Sequence, residues 1–455
     1  MACLTTWEPP FNTGEKASRV YDVVLRMAST LPSDAATATV QRSTLRLLFA
    51  TQIVSGMGVA IGSSVGALLA AELAGVGLSG LAQSAVVIGA ALAAIPATAI
   101  VHRHGRRPSL AAAYGVAAVG ALLVVVAAVR GSLPFLFLGF FLFGGATAAN
   151  LQARYTAVDL APAALRGRHL SLIVWATTIG AVAGPHLAAP AGVALTPFGI
   201  PTLAAPYFFS ALLFVITALA LLALLRPDPA ILAGTAGGDR EAPRRWRDGL
   251  QAIGARGPAM LGVTAMAVGH MVMVGIMAMT PVHIRGAGHD AAHTLRIVGV
   301  VISVHIAGMY AFAPLIGWLT DRLGRRPVIF AGIVLLLAAC VLAGGAGYDS
   351  ARLGAGLMLV GLGWSCTMVA GSTLLSEAVP VELRTSAQGL SDLIMGLAGA
   401  SAGALSGVVV SAWSYPVLAV VAAIATVPLI VLAIAVRSES SPPDPLSLRE
   451  TGNEG

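Results

Sequence analysis

Apolar residues run in long stretches along most of the chain, and polar or charged residues are confined to the short segments between them. A helix rises 1.5 Å per residue, so about 20 apolar residues cross a hydrocarbon layer roughly 30 Å thick. Twelve stretches reach that length, at 47–70, 78–101, 109–129, 133–153, 170–190, 205–225, 259–281, 297–317, 328–347, 353–376, 388–410 and 417–436. Two of the divisions, around Pro197 to Pro206 and Ser411 to Pro416, rest on turn residues alone. The pattern predicts an all-α polytopic membrane protein with 12 transmembrane helices.

Composition narrows the function. Of 455 residues 57% are apolar and 10% charged, and the mean hydropathy is +0.85; a soluble domain carries about 25% charged residues. A soluble enzyme and a disordered chain are both excluded. The net charge of +7 is scattered between apolar runs rather than gathered on a stripe, which argues against a nucleic-acid partner. Lys16, the single lysine, is followed by Ala17, so the Gly-Lys-Ser/Thr of a phosphate-binding loop is missing. Cys3, Cys340 and Cys366 have neither disulfide nor metal spacing. No cofactor and no resident metal is implied.

Arginine in short loops is retained on the cytoplasmic side. With both termini inside, 23 of the 27 basic residues fall in cytoplasmic segments, and only Arg130, Arg285, Arg296 and Arg352 lie outside. The expected organisation is a cytoplasmic N-terminal tail (1–45), a six-helix bundle (46–226), a charged cytoplasmic linker (227–257), a second six-helix bundle (258–437) and a cytoplasmic tail (438–455). An internal repeat supports it. Arg103-His-Gly105-Arg106-Arg107-Pro108 after span 2 matches Arg322-Leu-Gly324-Arg325-Arg326-Pro327 after span 8, at an offset of 219. Asp159, Pro162 and Arg166 match Glu377, Pro380 and Arg384 at an offset of 218.

The segment Gly317-Trp-Leu-Thr-Asp321-Arg322-Leu-Gly324-Arg325-Arg326-Pro327 resembles the loop signature of the major facilitator superfamily, and the likeness covers nearly the whole chain. It implies two pseudo-symmetric six-helix bundles rocking about a central site. It further implies that the loop is a gate, with Gly317 allowing close helix approach and Asp159 and Glu377 as acidic partners of the arginines. The first-half copy departs: Thr98 stands for Gly317, and His102 stands for the acid Asp321. Solvated charges that only set topology are the plainer reading of each single residue. Gly180-Ala-Val-Ala-Gly184-Pro185 resembles the span 5 signature of twelve-helix drug:proton antiporters, although Ala188 and Ala189 replace its usual glycines. The intramembrane arginine that such antiporters often carry in span 4 is absent from Phe140 to Gly144, and Arg154 sits nearer the cytoplasmic end.

Ionisable groups inside hydrocarbon are costly and point to function. Asp392, eight residues after Arg384 and in the inner half of span 11, is either a proton carrier or half of a structural ion pair. Gln52 and Gln83 are hydrogen-bonders of the cavity or of helix packing. Met266, His270, Met273 and Met277 share one helical face, which suits apolar ligands, a soft metal or ordinary packing. His283, His289, His293 and His305 follow, and the i, i+4 pair 289/293 lacks a third ligand. Glu72 is an outer-end residue, and nothing in the sequence places His186. Trp175 and Trp364 are candidate wall residues. These features predict proton-coupled export of a lipophilic small molecule by a plasma-membrane protein acting as a monomer in the lipid bilayer. A transition-metal exporter using spans 7 and 8 is the alternative. A membrane enzyme or scaffold is a third reading, for which no convergent nucleophile and base is found.

Overall fold

The computed structural model describes residues 34–162, 165–234 and 246–436. Most of the expected N-terminal tail, with Cys3 and Lys16, all of the C-terminal tail and the middle of the linker lie outside the described residues. Among these the chain is helical, with no strand. Twelve helices are long and apolar enough to cross a membrane: α1 Thr37–Ala74, α2 Val76–His104, α3 Arg106–Arg130, α4 Leu133–Thr156, α5 Arg166–Ala194, α6 Ala205–Leu232, α7 Gly257–Arg285, α8 Ala291–Leu323, α9 Arg325–Gly344, α10 Ser350–Ala378, α11 Ser386–Ala412 and α12 Tyr415–Ala435.

Most helices outrun the apolar stretch that predicted them, because a polar turn beyond the hydrocarbon continues the helix at little cost. The first helix is helical from Asp34, well before the boundary expected near 46. Its polar extension is tied down where Gln41 Nε2 donates to Ala157 O at 2.7 Å and meets His169 Nδ1 at 3.1 Å. Conversely, α9 stops at Gly344 rather than 347, with Gly345 as its C-cap, and Gly347, with φ +56°, turns the chain in the loop that follows. The linker is not only charged. Trp246–Gly254 forms an amphipathic helix whose Ala252 and Ile253 are buried with Ala259, Val263, Leu375 and Ala387.

The first six helices and the last six repeat one packing scheme: α1 lies on α5 as α7 lies on α11, and α3 on α4 as α9 on α10. Close approach in the first pair runs through Gly180 and Gly184. A Cβ on Gly184 would lie 2.7 Å from Ala60 Cβ, and one on Gly180 would overlap Ile53 O. The repeat extends to the caps. Gly105 and Gly324 both take φ near +90° to start α3 and α9, a conformation that strains any side chain.

The two halves meet mainly at the end away from the arginine-rich loops. Ser84 Oγ of α2 donates to Ala400 O of α11 at 2.6 Å, and Ser303 Oγ of α8 donates to Val182 O of α5 at 2.7 Å. Gly80 and Gly299 lie one turn earlier on α2 and α8. A Cβ on Gly299 would fall 2.8 Å from Pro185 O, and one on Gly80 would overlap Gly403 O. Towards the arginine-rich end the same helices separate. Gly389 and Gly396 of α11 and Gly317 of α8 would meet nothing within 4 Å, and Leu393, Leu397 and Leu315 are exposed. The molecule is closed at one end and open at the arginine-rich end.

Candidate functional site

The two arginine loops form matching forks. Arg106 donates through Nε and Nη2 to Asp159 Oδ2 and Oδ1 (2.8 and 3.1 Å) and through Nη1 to Gln152 Oε1 (2.8 Å). Arg325 donates through Nε and Nη2 to Glu377 Oε2 and Oε1 (2.9 and 2.5 Å), with Asp321, largely exposed, 3.8 Å away. The expected partners Asp159 and Glu377 are therefore paired. Arg326 donates to Ala433 O (2.8 Å) at the end of α12, Arg322 sits 5.2 Å over the Trp318 ring, and Arg103 is exposed. The close helix approach expected at Gly317 is not made, because the open end leaves its face empty.

His102, the residue that replaces the acid in the first loop, is half-buried, and a residue from the linker carries the missing negative charge. Asp228 Oδ1 and Oδ2 accept from the backbone N–H groups of Arg106 (3.1 Å) and Arg107 (2.7 Å), capping α3, and Oδ1 also accepts from Ala230 N (2.9 Å). A carboxylate on free N–H groups at a helix start is favoured by both hydrogen bonding and the helix dipole. Asp228→Ala is expected to lower stability by about 1–2 kcal/mol, read as an earlier thermal midpoint of the purified protein.

Within the membrane, Asp392 is exposed to the space between the halves, and Arg154 of α4 is close enough to act on it electrostatically. Arg154 acts likewise on Tyr310 of α8, and its buried Nε has no hydrogen-bond partner. The structure thus brings an arginine of one half towards an acid of the other. Arg154 lies two residues from the end of α4, as its place in the sequence implies.

His270 lies on α7 against α10 and α11. Trp364 Nε1 donates to His270 Nδ1 (3.2 Å), and Tyr310 packs edge-on to Trp364 with ring centroids 5.7 Å apart. A Cβ on Gly399 would sit 2.8 Å from His270 Nε2. Met266 and Met273 are buried in helix packing, and Met277 is half-buried against the core. His305 is fully buried between α8 and α10; its Nδ1–H donates to Leu357 O (2.8 Å) and its Nε2 has no partner. Gln83 borders Gly403 at the junction of α2 and α11.

Gln52 belongs to a network that crosses the first half. Its Nε2 donates to Tyr114 OH (3.0 Å) and its Oε1 accepts from Thr177 Oγ1 (3.0 Å), while Tyr114 OH and Ser55 Oγ both donate to Asn150 Oδ1 (2.7 and 2.9 Å). Tyr114, Asn150, Ser55 and Thr177 carry no charge and no motif, so the sequence offered no signal for them. Asn150 is the partial exception, as an amide buried in an apolar run needs partners.

At the start of α8, His289 of the preceding loop and His293 of the first turn face each other with ring centroids 4.5 Å apart, and Asp290 caps the helix by accepting from His293 N (2.8 Å). That bond holds the Asp290 carboxyl below its usual range. Among the described residues, no three of His, Cys, Asp and Glu come together as a metal-binding group.

The family model for the Major Facilitator Superfamily matches residues 47–295 and 288–453. The uncharacterised MFS-type transporter YdeG of Bacillus subtilis is 36% identical over 397 residues, covering 86% of this chain and 91% of its own. The riboflavin transporter RfnT of Brucella anthropi is 26% identical over 364 residues, covering 79% and 86%. Among solved structures, the nucleoside transporter NupG superposes with a TM-score of 0.65 at 17% identity, over 87% of this chain and 98% of its own. With twelve spanning helices, duplicated halves and these relatives, the chain belongs to the Major Facilitator Superfamily and is a multi-pass membrane transporter, not an enzyme.

Proposed function

We propose that the protein is a proton-coupled secondary transporter of the plasma membrane, monomeric and with both termini cytoplasmic, that exports a lipophilic small molecule by alternating access. In this reading the halves 46–226 and 258–437 are the rocking units, and the arginine-rich end faces the cytoplasm, so the conformer described is inward-facing. The observation that carries it is Asp392: an acid within a membrane helix, exposed to the space between the halves and opposed by Arg154. Such a group exchanges a proton with the open side and is neutralised when the site closes around it.

Aromatic groups beside this space support an organic substrate. Tyr310 and His270, both half-buried, meet on the buried Trp364, whose Nε1–H is committed to His270 Nδ1, so the cluster adds mainly aromatic surface and few free hydrogen bonds. The likeness to a riboflavin transporter favours a ring-bearing organic substrate over an inorganic ion.

The test uses inverted membrane vesicles with an acid interior, challenged with tetraphenylphosphonium. The wild-type protein is expected to release protons on addition of the cation. Asp392→Asn at matched expression is expected to lose at least about tenfold of that flux, the size of a lost proton-transfer group. Unchanged flux would remove Asp392 from the proton path.

A further inference from the structure

A groove of about 290 Å³ lies between α2, α3 and α4, on the side of the first half. Gly89, Ala97, Ala113 and Gly145 form its floor, and Leu92 and Val116 form part of its rim. Its lining is apolar apart from one hydroxyl, and Ser109 Oγ already donates to Ala97 O at 2.7 Å. An occupant therefore gains nothing from polar groups inside the groove, and its buried part must be hydrocarbon.

The groove opens towards lipid. Ala112, Val116, Val119 and Val126 form an exposed stripe on α3 at i, i+4, i+7 and i+14, and the groove's rim is part of that stripe. On α2 it extends over Gly89 to Ile100, in the part of the helix nearer the arginine-rich end. Pro96, Ile100 and Arg103 continue one helical face, so Arg103 stands one turn beyond the groove, roughly 4.5 Å along the axis. Arg103 is exposed. Its counterpart in the repeat, Arg322, rests on Trp318, whereas the position matching Trp318 in the first half is Ala99. Among the described residues Arg103 thus has no ring beneath it and no carboxylate paired with it.

We propose that this groove holds an acyl chain of an anionic phospholipid from the leaflet at the arginine-rich end, with the lipid phosphate on Arg103. The groove supplies apolar contact of a length and depth that an open helix surface lacks. The arginine supplies selectivity for charge at the depth where headgroups begin.

The test uses the full chain, purified and delipidated in detergent. It is titrated with phosphatidylglycerol or phosphatidylcholine of one chain length, and bound lipid is counted by native mass spectrometry. One phosphatidylglycerol is expected to be retained at about fivefold lower concentration than phosphatidylcholine, the preference one juxtamembrane arginine provides. Arg103→Gln, a surface change, should erase the preference and leave weak binding of both lipids. Ala112→Phe, which fills the groove from its exposed rim, should remove retention of both while the protein still elutes as a single species. Equal retention of the two lipids by the wild-type chain, or wild-type retention in Ala112→Phe, would overturn the proposal. If Arg103→Gln loses the preference while Ala112→Phe keeps the lipid, the site binds headgroup alone and the acyl-chain assignment is wrong.

Discussion

Gly80→Val is expected to reduce transport at least tenfold while leaving the protein folded. A Cβ at position 80 would overlap Gly403 O and also lie 3.0 Å from Gly403 C and 3.1 Å from Gly407 N, so the obstacle is backbone that cannot rotate away. The only relief is to part α2 from α11, the contact that seals the closed end. Overpacking of this kind costs roughly 1–3 kcal/mol, and each 1.36 kcal/mol shifts a two-state balance about tenfold. The penalty falls on one conformer, so the equilibrium moves towards the state open at that end. Ala400→Cys, buried at this junction in the conformer described, is a suitable reporter: in a background lacking other cysteines it should become labelled by a maleimide when Gly80→Val is added. The matching Gly299→Val should do less, because its Cβ would stop 2.8 Å from Pro185 O. Wild-type transport in Gly80→Val would show that the seal plays no part in turnover.

The arginine forks should differ in stability although they look alike. In the first half the Arg106 and Asp159 side chains are 13% and 9% exposed; in the second, Arg325 and Glu377 are 27% and 49% exposed. Asp159→Ala leaves a largely buried guanidinium with Gln152 as its remaining side-chain partner. That is expected to cost about 3 kcal/mol, near the range for broken buried pairs. Glu377→Ala removes a solvated pair and should cost no more than about 1 kcal/mol. Thermal unfolding of the two purified variants decides it, and equal losses would refute the ranking. A fall in transport by Glu377→Ala without a fall in melting temperature would in addition separate a gating role from a scaffolding one.

The length of a spanning helix is imposed by the bilayer rather than by neighbouring residues, which is why twelve spans could be placed from apolar runs alone. The acidic partners Asp159 and Glu377 were legible because duplication put each at almost the same separation from its arginine, 53 and 52 residues. What the sequence hid were contacts across long separations between residues without charge or motif. The Tyr114 network is one example. Another is Asp228, 122 residues from Arg106, which read as linker charge and is in fact the cap of α3. Ser84 and Ser303 were within reach: the offset of 219 that aligns the arginine loops also aligns Gly80 with Gly299 and Ser84 with Ser303.

The contacts at the closed end have the form of a subunit interface. Residues 80 and 84 touch 403 and 400; their copies 299 and 303 touch 185 and 182. Each surface patch meets the duplicate of its own partner, the relation found in an isologous two-fold dimer. The chain is thus built as a fused homodimer, with the closed-end seal on the axis that relates its halves. On such an axis neither half is the fixed frame and neither is the lever. Pro185 opposite Gly403 marks a place where the two copies have since drifted apart.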